Sequence, residues 1–272
     1  MSQPYRLTTP GSLGAAGWLI AAFMLLPLVV VFPVSLTDQP YLSMPKAALS
    51  LDHFQRLLRS ADWLSSAGQS LGIAMLSATM AVIFGASCAI GCWRSRSKIV
   101  PFIQVAMILP LVVPPLVYAL GYYRLLLKVD LLDTFSGVIL AHFVTAIPYV
   151  FITVTASLAA FDRKLELAAK SMGASVFQTL FQVVIPNIRA GLASGAILAF
   201  IHSWDEVVVV LFIASRKVYT LPRRIWDGVS SDLDPMMASA AALLIVGSLV
   251  LFALNLLITS RNSISGSKGK AL

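Results

Sequence analysis

The chain has 272 residues, of which 58% are hydrophobic and only 12% charged, with a formal net charge of +8. Its mean hydropathy is +0.85. A soluble domain is usually about 45–50% apolar and about 25% charged, so these values exclude a disordered chain and argue against a water-soluble enzyme. The length is better counted in membrane spans, each taking roughly 20 apolar residues to cross a core about 30 Å thick.

Six apolar runs follow in chain order. The first covers residues 17–36, and Arg6 is the only charged residue before it. It is too long for a signal-peptide core, has no small-residue cleavage site before Asp38, and reads as a retained span. The second, 70–93, is closed by Arg94, Arg96 and Lys98. It contains Cys88 and Cys92, four apart on one helix face, which are expected to pack as small residues rather than to bind metal or pair. The third, 99–123, is interrupted by Pro110, Pro114 and Pro115, which should kink it. The fourth, 135–160, holds Pro148 and His142; the fifth, 191–214, holds Asp205 and Glu206; the sixth is 236–260, followed by a polar tail with Lys268 and Lys270. The expectation is an all-α integral membrane protein, a single transmembrane domain over 1–272 with a polar loop at 161–190.

Two further polar segments separate the spans. In 37–69, Leu51, Phe54, Leu57 and Leu58 follow helical spacing after Ser50, a suitable N-cap. Residues 215–235 carry Arg216, Lys217, Arg223 and Arg224 with Asp227, Asp232 and Asp234. Six spans put both termini on one side. The 94–98 cluster and Arg261 abut span ends on that side, where the positive-inside rule acts most strongly, so both termini are expected in the cytoplasm.

The most informative stretch is Leu165-Glu166-Leu167-Ala168-Ala169-Lys170-Ser171-Met172-Gly173-Ala174, with Val183-Val184-Ile185-Pro186 further on. Asp162 suits the N-cap of a short helix, and Glu166 sits near the positive end of its dipole. Ala168 and Ala169 are small enough for a partner to approach closely. Gly173 can end the helix with a positive φ. A second helical stretch from Ser175 should run until Pro186 breaks it. The reading is a helix, a turn and a second helix on the cytoplasmic face, presenting small residues to something outside the chain.

This segment resembles the signature loop of permeases from binding-protein-dependent ABC importers: Glu-Ala-Ala, three residues, Gly, nine residues, Ile-x-Leu-Pro. Ala168, Ala169, Gly173 and Pro186 fall on the pattern, with Val183 and Ile185 as conservative stand-ins. Leu167 occupies the place of the family's Glu, and Glu166 lies one position earlier. The resemblance implies six helices of the type I importer permease kind. It also implies that Glu166, Ala168, Ala169, Gly173 and Pro186 couple the chain to a cytoplasmic ATPase. The implied partners are a second homologous permease, two ATPase subunits and an extracytoplasmic solute-binding protein. The chain has no Gly-x-x-x-x-Gly-Lys-Ser/Thr loop, so it should hold no cofactor of its own, with ATP and Mg bound by the partner ATPase.

The similarity covers most of residues 13–260. The runs Ala199-Phe-Ile-His-Ser-Trp-Asp-Glu-Val207 and Thr220-Leu-Pro-Arg-Arg-Ile-Trp226 are similar to those of the second permease of spermidine/putrescine importers, with Trp204 and Val207 replacing Phe. A small cationic solute is the implied substrate. At about 1.5 Å per residue, Asp205 stands about 22 Å into the fifth span. A charge at mid-span costs roughly 2.5–3.5 kcal/mol, so Asp205 and Glu206 need a wet cavity or a basic partner. His202 shares a face with Asp205. Trp204, Tyr118, Tyr122 and Tyr123 can offer π faces to an alkylammonium. Structural roles stay open beside these: ion pairing for the two acids, hydrogen-bonded packing for His202 and His142, an interfacial belt for the tyrosines. A proton-coupled secondary transporter using His202, Asp205 and Glu206 is the competing functional class. A membrane-embedded enzyme is disfavoured, because no metal-ligand spacing or nucleophile–base motif occurs.

Overall fold

The computed structural model describes residues 11–231 and 234–268, and the side chains of 14–230 and 234–258. Arg6 and Lys270 lie outside the described residues, as do the side chains of Arg261 and Lys268. The described residues form helices and connecting loops: α1 (Gly11–Ser35), α2 (Asp52–Arg59), α3 (Ala61–Arg94), α4 (Val100–Val112), α5 (Pro115–Lys128), α6 (Phe135–Ala159), α7 (Arg163–Ser171), α8 (Val176–Thr179), a π turn at Leu180–Val184, α9 (Ile185–Asn187), α10 (Arg189–Asp205), α11 (Val208–Ile213), α12 (Leu221–Ser231) and α13 (Met236–Lys268). Helices α1, α3, α6 and α13 are each long and apolar enough to cross a membrane. Two bent pairs, α4 with α5 and the 176–187 segment with α10, bring the number to six. Helix α3 starts well before the expected residue 70. Helix α2 starts at Asp52 with Leu51 at its N-cap, although Ser50 Oγ still accepts the Asp52 N–H at 3.1 Å. Helix α12 falls in a stretch read from sequence only as a polar connection.

The chain divides into two compact units, Met1–Ser60 with Asp227–Ile245, and Ala61–Trp226 with Val246–Leu272. In the first, α1 exposes Trp18, Phe23 and Met24, as a lipid-facing helix does. The loop that follows it turns on Asp38, whose carboxylate accepts the N–H of Lys46 at 2.9 Å and of Ala47 at 3.2 Å. Ser239 Oγ donates to the Ser35 carbonyl at 3.2 Å.

The second unit is built on α3, α6 and α10. Small residues let these helices approach closely: Ala74, Ala78, Ala81, Ala86 and Ala89 of α3 are buried. On α10, Gly191 and Gly195 are one turn apart and both face α6. A Cβ at Gly195 would lie 2.5 Å from Thr153 Oγ1 and 3.0 Å from Val150 Cα, and one at Gly191 would collide with Ser157. This small-xxx-small spacing is how membrane helices bring their backbones together. Cys88 and Cys92 pack in the same core as free thiols.

Two expected spans are not continuous. The third bends by 104° between α4 and α5. Val113 is extended there (φ −73°, ψ 128°) because Pro114 disfavours helical geometry in the residue before it. Pro115 then opens α5, where a missing N–H costs nothing. The fifth stops at Asp205 rather than running to residue 214: Glu206 is extended (φ −72°, ψ 117°) and a short helix, α11, begins at Val208. A third difference concerns Pro186, which does not break its helix. The preceding π turn widens the backbone where the proline ring would meet the carbonyl four residues back. The chain instead bends by 69° after Asn187.

Candidate functional site

The breaks in the third and fifth spans face a common space. A cavity of about 170 Å³ is lined by Pro110, Leu111, Val113, Pro115, Tyr118, Thr145, Tyr149, His202 and Glu206. A second, of about 300 Å³, is lined by Tyr149, Leu198, Ile201, His202, Asp205 and Glu206. Tyr149, His202 and Glu206 border both. The His202 ring lies 4.9 Å from that of Tyr149, and its buried Nε2 has no hydrogen-bond partner among the described residues.

Asp205 and Glu206 have different surroundings. Asp205 ends α10 and is exposed, with Ser248 Oγ of α13 donating to its carboxylate at 3.4 Å. Glu206 Oε1 accepts the N–H of Val209 at 3.0 Å, so it caps α11. Neither acid has a basic partner within ion-pair distance among the described residues. His142 is fully buried, and its Nδ1 shares a 2.8 Å hydrogen bond with Ser203 Oγ, which ties α6 to α10. Of the aromatic residues read from sequence, Tyr118 lines the cavity. Tyr122 packs 5.9 Å from Tyr118 but lines neither space, and Trp204 stacks on Phe200. Tyr149 and Thr145 were not singled out in sequence. They lie in a continuous apolar run, and only the spans' packing turns them inward.

The 161–190 loop follows its sequence closely. Asp162 accepts the Lys164 N–H at 2.9 Å and caps α7. Gly173 takes φ +85° and ends it. Gly173 N–H reaches the Lys170 carbonyl at 3.0 Å and Ala174 N–H the Ala169 carbonyl at 3.1 Å, the paired bonds of a Schellman turn. Ser175 and Gln178 then form a capping box for α8. Ala168, Gly173 and Pro186 are exposed, whereas Ala169 and Glu166 are buried. Glu166 pairs with Arg94 at 2.7 Å and with Lys170 at 2.9 Å. Burial pushes its carboxyl up, but hydrogen bonds from Arg94 and Lys170 outweigh this and hold it below the ordinary value. Met172, Phe177, Leu167 and Phe181 are 83%, 74%, 62% and 62% exposed, an apolar surface larger than the small residues alone suggested.

Other polar residues order the connection after α11. Asp133, at φ +55°, accepts the backbone N–H groups of Ser215 (2.8 Å), Arg216 (3.1 Å), Lys217 (3.1 Å) and Val218 (3.3 Å). Partial burial raises its pKa, yet these four donors carry it down to about 2. Arg223 donates to the carbonyls of Val210 and Ala214 at the end of α11. Arg224 donates to Ser66 Oγ at 2.7 Å and stacks 4.6 Å from the Tyr219 ring.

Apolar crossing helices, two broken spans around a largely apolar cavity that holds His202 and Glu206, and an exposed helix–turn–helix are the features of a polytopic membrane transport subunit. Residues 81–264 match the family of binding-protein-dependent transport system inner membrane components, and the chain belongs to that family. It is an ABC importer permease subunit of the type I fold, a transport component rather than an enzyme. The spermidine/putrescine transport system permease protein PotC of Haemophilus influenzae is 29% identical over 246 residues, covering 90% of this chain and 95% of its own. The trehalose transport system permease protein SugB of Mycobacterium tuberculosis is 27% identical over 234 residues, covering 84% and 85%. In solved structures, a chain of a bacterial ABC transporter involved in the import of the acidic polysaccharide alginate shares the fold. Its TM-score is 0.68 at 15% identity, covering 95% of this chain and 99% of that one.

Proposed function

We propose that this permease forms half of the translocation pore of an ATP-driven importer for polyamines or a related small cation. The observation that carries the substrate class is the pair Asp205 and Glu206 at the break between α10 and α11. Both border the cavity shared with Tyr149 and His202. The carbonyl end of α10 adds partial negative charge at the same place, as half-helix ends do at cation sites in transporters. Tyr118 and Tyr149 offer π faces to an alkylammonium chain. The likeness to a spermidine/putrescine permease over most of the chain points the same way. Glu206 has a structural duty as the α11 cap, so the larger share of substrate contact falls to Asp205, with Trp204 and Tyr122 behind the lining.

In the same reading, α7 and the turn at Gly173 dock on a separate ATPase, which binds ATP and Mg. Ala168, Gly173 and Pro186 shape the surface, Ala169 packs beneath it, and Leu167, Met172 and Phe177 supply apolar contact. A sister permease completes the pore, an extracytoplasmic binding protein delivers solute, and both termini are cytoplasmic. The test is uptake of labelled spermidine by proteoliposomes holding the complete complex. Uptake is expected to require ATP inside with the ATPase, and to weaken in Asp205→Asn. Uptake by the permeases without any ATPase would replace this reading with a secondary transporter. Wild-type kinetics in Asp205→Asn would place that residue among structural groups.

A further inference from the structure

Helix α7 is fastened to the last turn of α3 by several contacts. Arg163 donates to the Trp93 carbonyl at 2.9 Å and lies 4.8 Å over the Trp93 ring. Phe161 meets the same ring edge-on at 5.6 Å. One turn along α7, Glu166 reaches Arg94, the final residue of α3, at 2.7 Å. The side chains of Arg94 and Glu166 are only 24% and 11% exposed, so this pair is largely taken out of water. Lys170, the other partner of Glu166, is 46% exposed and belongs to α7 itself.

We propose that Glu166 acts in coupling as a strut to Arg94, carrying movement of α7 into α3, rather than by touching the ATPase. The inference rests on α7 being the ATPase-docking helix. The family pattern puts its acid at position 167, where this chain has an exposed leucine. Moving the acid back one residue turns it about 100° around the helix axis. That rotation takes the carboxylate off the outward face and onto α3. Helix α3 packs against α10. Helix α10 in turn carries His202 and Asp205 at its far end, about 25 Å from its start. A push on α7 therefore has a stiff route to the cavity that bypasses the turn at Gly173. Glu166 and Arg94 are positioning residues in this scheme; neither meets substrate or nucleotide.

The experiment uses the complete complex in proteoliposomes and reads three quantities: ATP hydrolysed, solute moved, and ATPase retained on purification. Glu166→Gln and Arg94→Gln are each expected to keep the ATPase bound while solute moved per ATP falls about 5- to 20-fold. Lys170→Gln removes only the i,i+4 pair and should change the ratio by about twofold or less. The exchanged pair Arg94→Glu with Glu166→Arg should recover most of the loss, and Arg94→Lys, which keeps the cation, should stay near wild type. Loss of the ATPase from Glu166→Gln complexes would make Glu166 a partner contact and overturn the proposal. So would an unchanged transport ratio, an effect of Lys170→Gln equal to that of Arg94→Gln, or an Arg94→Lys variant as impaired as Arg94→Gln. Failure of the underlying docking assignment looks different: Ala168→Glu, on the exposed face, would then leave both ATPase binding and coupling intact.

Discussion

Gly173 offers a clean measurement of how much the turn after α7 matters. Its φ is +85°, and a Cβ built there meets nothing within 4 Å. The cost of a side chain at this position is therefore the backbone cost alone. For alanine held left-handed it is about 1–2 kcal/mol, less for asparagine, whose short polar side chain tolerates this region. Valine is worse than alanine, because a branched Cβ makes positive φ a true outlier. A change of about 1–2 kcal/mol lowers the ratio of ordered to frayed turn about 5- to 30-fold. The Schellman bonds from Gly173 and Ala174 then fray, and Met172, at 83% exposure the most prominent apolar side chain of the loop, loses its aim. Solute moved per ATP should fall in the order Gly, Asn, Ala, Val, measured in proteoliposomes holding the whole complex, with hydrogen exchange at Gly173 and Ala174 as the structural readout. Gly173→Asp compared with Gly173→Asn isolates the effect of a charge at the proposed docking face. A valine variant coupled as well as wild type would show that coupling does not depend on the left-handed turn at Gly173.

Other positions give independent tests. Gly195→Val places atoms 2.5 Å from Thr153 Oγ1 and 3.0 Å from Val150 Cα, and should cost about 1–3 kcal/mol by thermal melting of the purified complex; an unchanged midpoint would deny the close α10–α6 approach. Ser203→Ala leaves His142 Nδ1 buried without its partner and should cost about 1–3 kcal/mol in the same assay. Asp133→Ala should raise hydrogen exchange at residues 215–218 selectively. In the wild type the folded pKa is lowered from the ordinary 3.8 to about 2, so the clamp's contribution is complete above 3.8 and is lost as pH falls through about 2. Protection of that turn, corrected for intrinsic exchange, should therefore stay constant from neutral pH down to about 4.

Much of the architecture was legible in the chain because membrane helices write themselves as long apolar runs. The 161–190 loop was legible too, since Asp162, Gly173 and Ser175 act through local backbone chemistry that spacing reveals. The breaks were harder. Pro114 announces a bend at Val113, but nothing local sets its angle at 104°. The stop at Asp205 has neither proline nor glycine beside it; Glu206 capping Val209 becomes visible only once the backbone is seen to open. The Gly191–Gly195 spacing was a readable sign of close packing that composition alone does not weigh. Glu166 shows the limit of motif reading. Its displacement by one place is plain in sequence, whereas its partner Arg94 lies far back in the chain. Tyr149 and Thr145 enter the cavity through packing of α6 against α10, which no periodicity in a mostly apolar run discloses.

The proposed route takes a cation past Asp205 in an ATP-driven complex. The direct measurement is the initial rate of labelled spermidine uptake by the complete complex, with wild type and Asp205→Asn compared over a range of spermidine, and labelled trehalose as the uncharged control. A carboxylate–ammonium contact is worth about 1–3 kcal/mol, so removing the charge should raise the half-saturating concentration at the permease step about 5- to 150-fold. Spermidine uptake should be ATP-dependent, and trehalose should not enter. Trehalose uptake, or identical spermidine kinetics in wild type and Asp205→Asn, would rule out a cation path at Asp205.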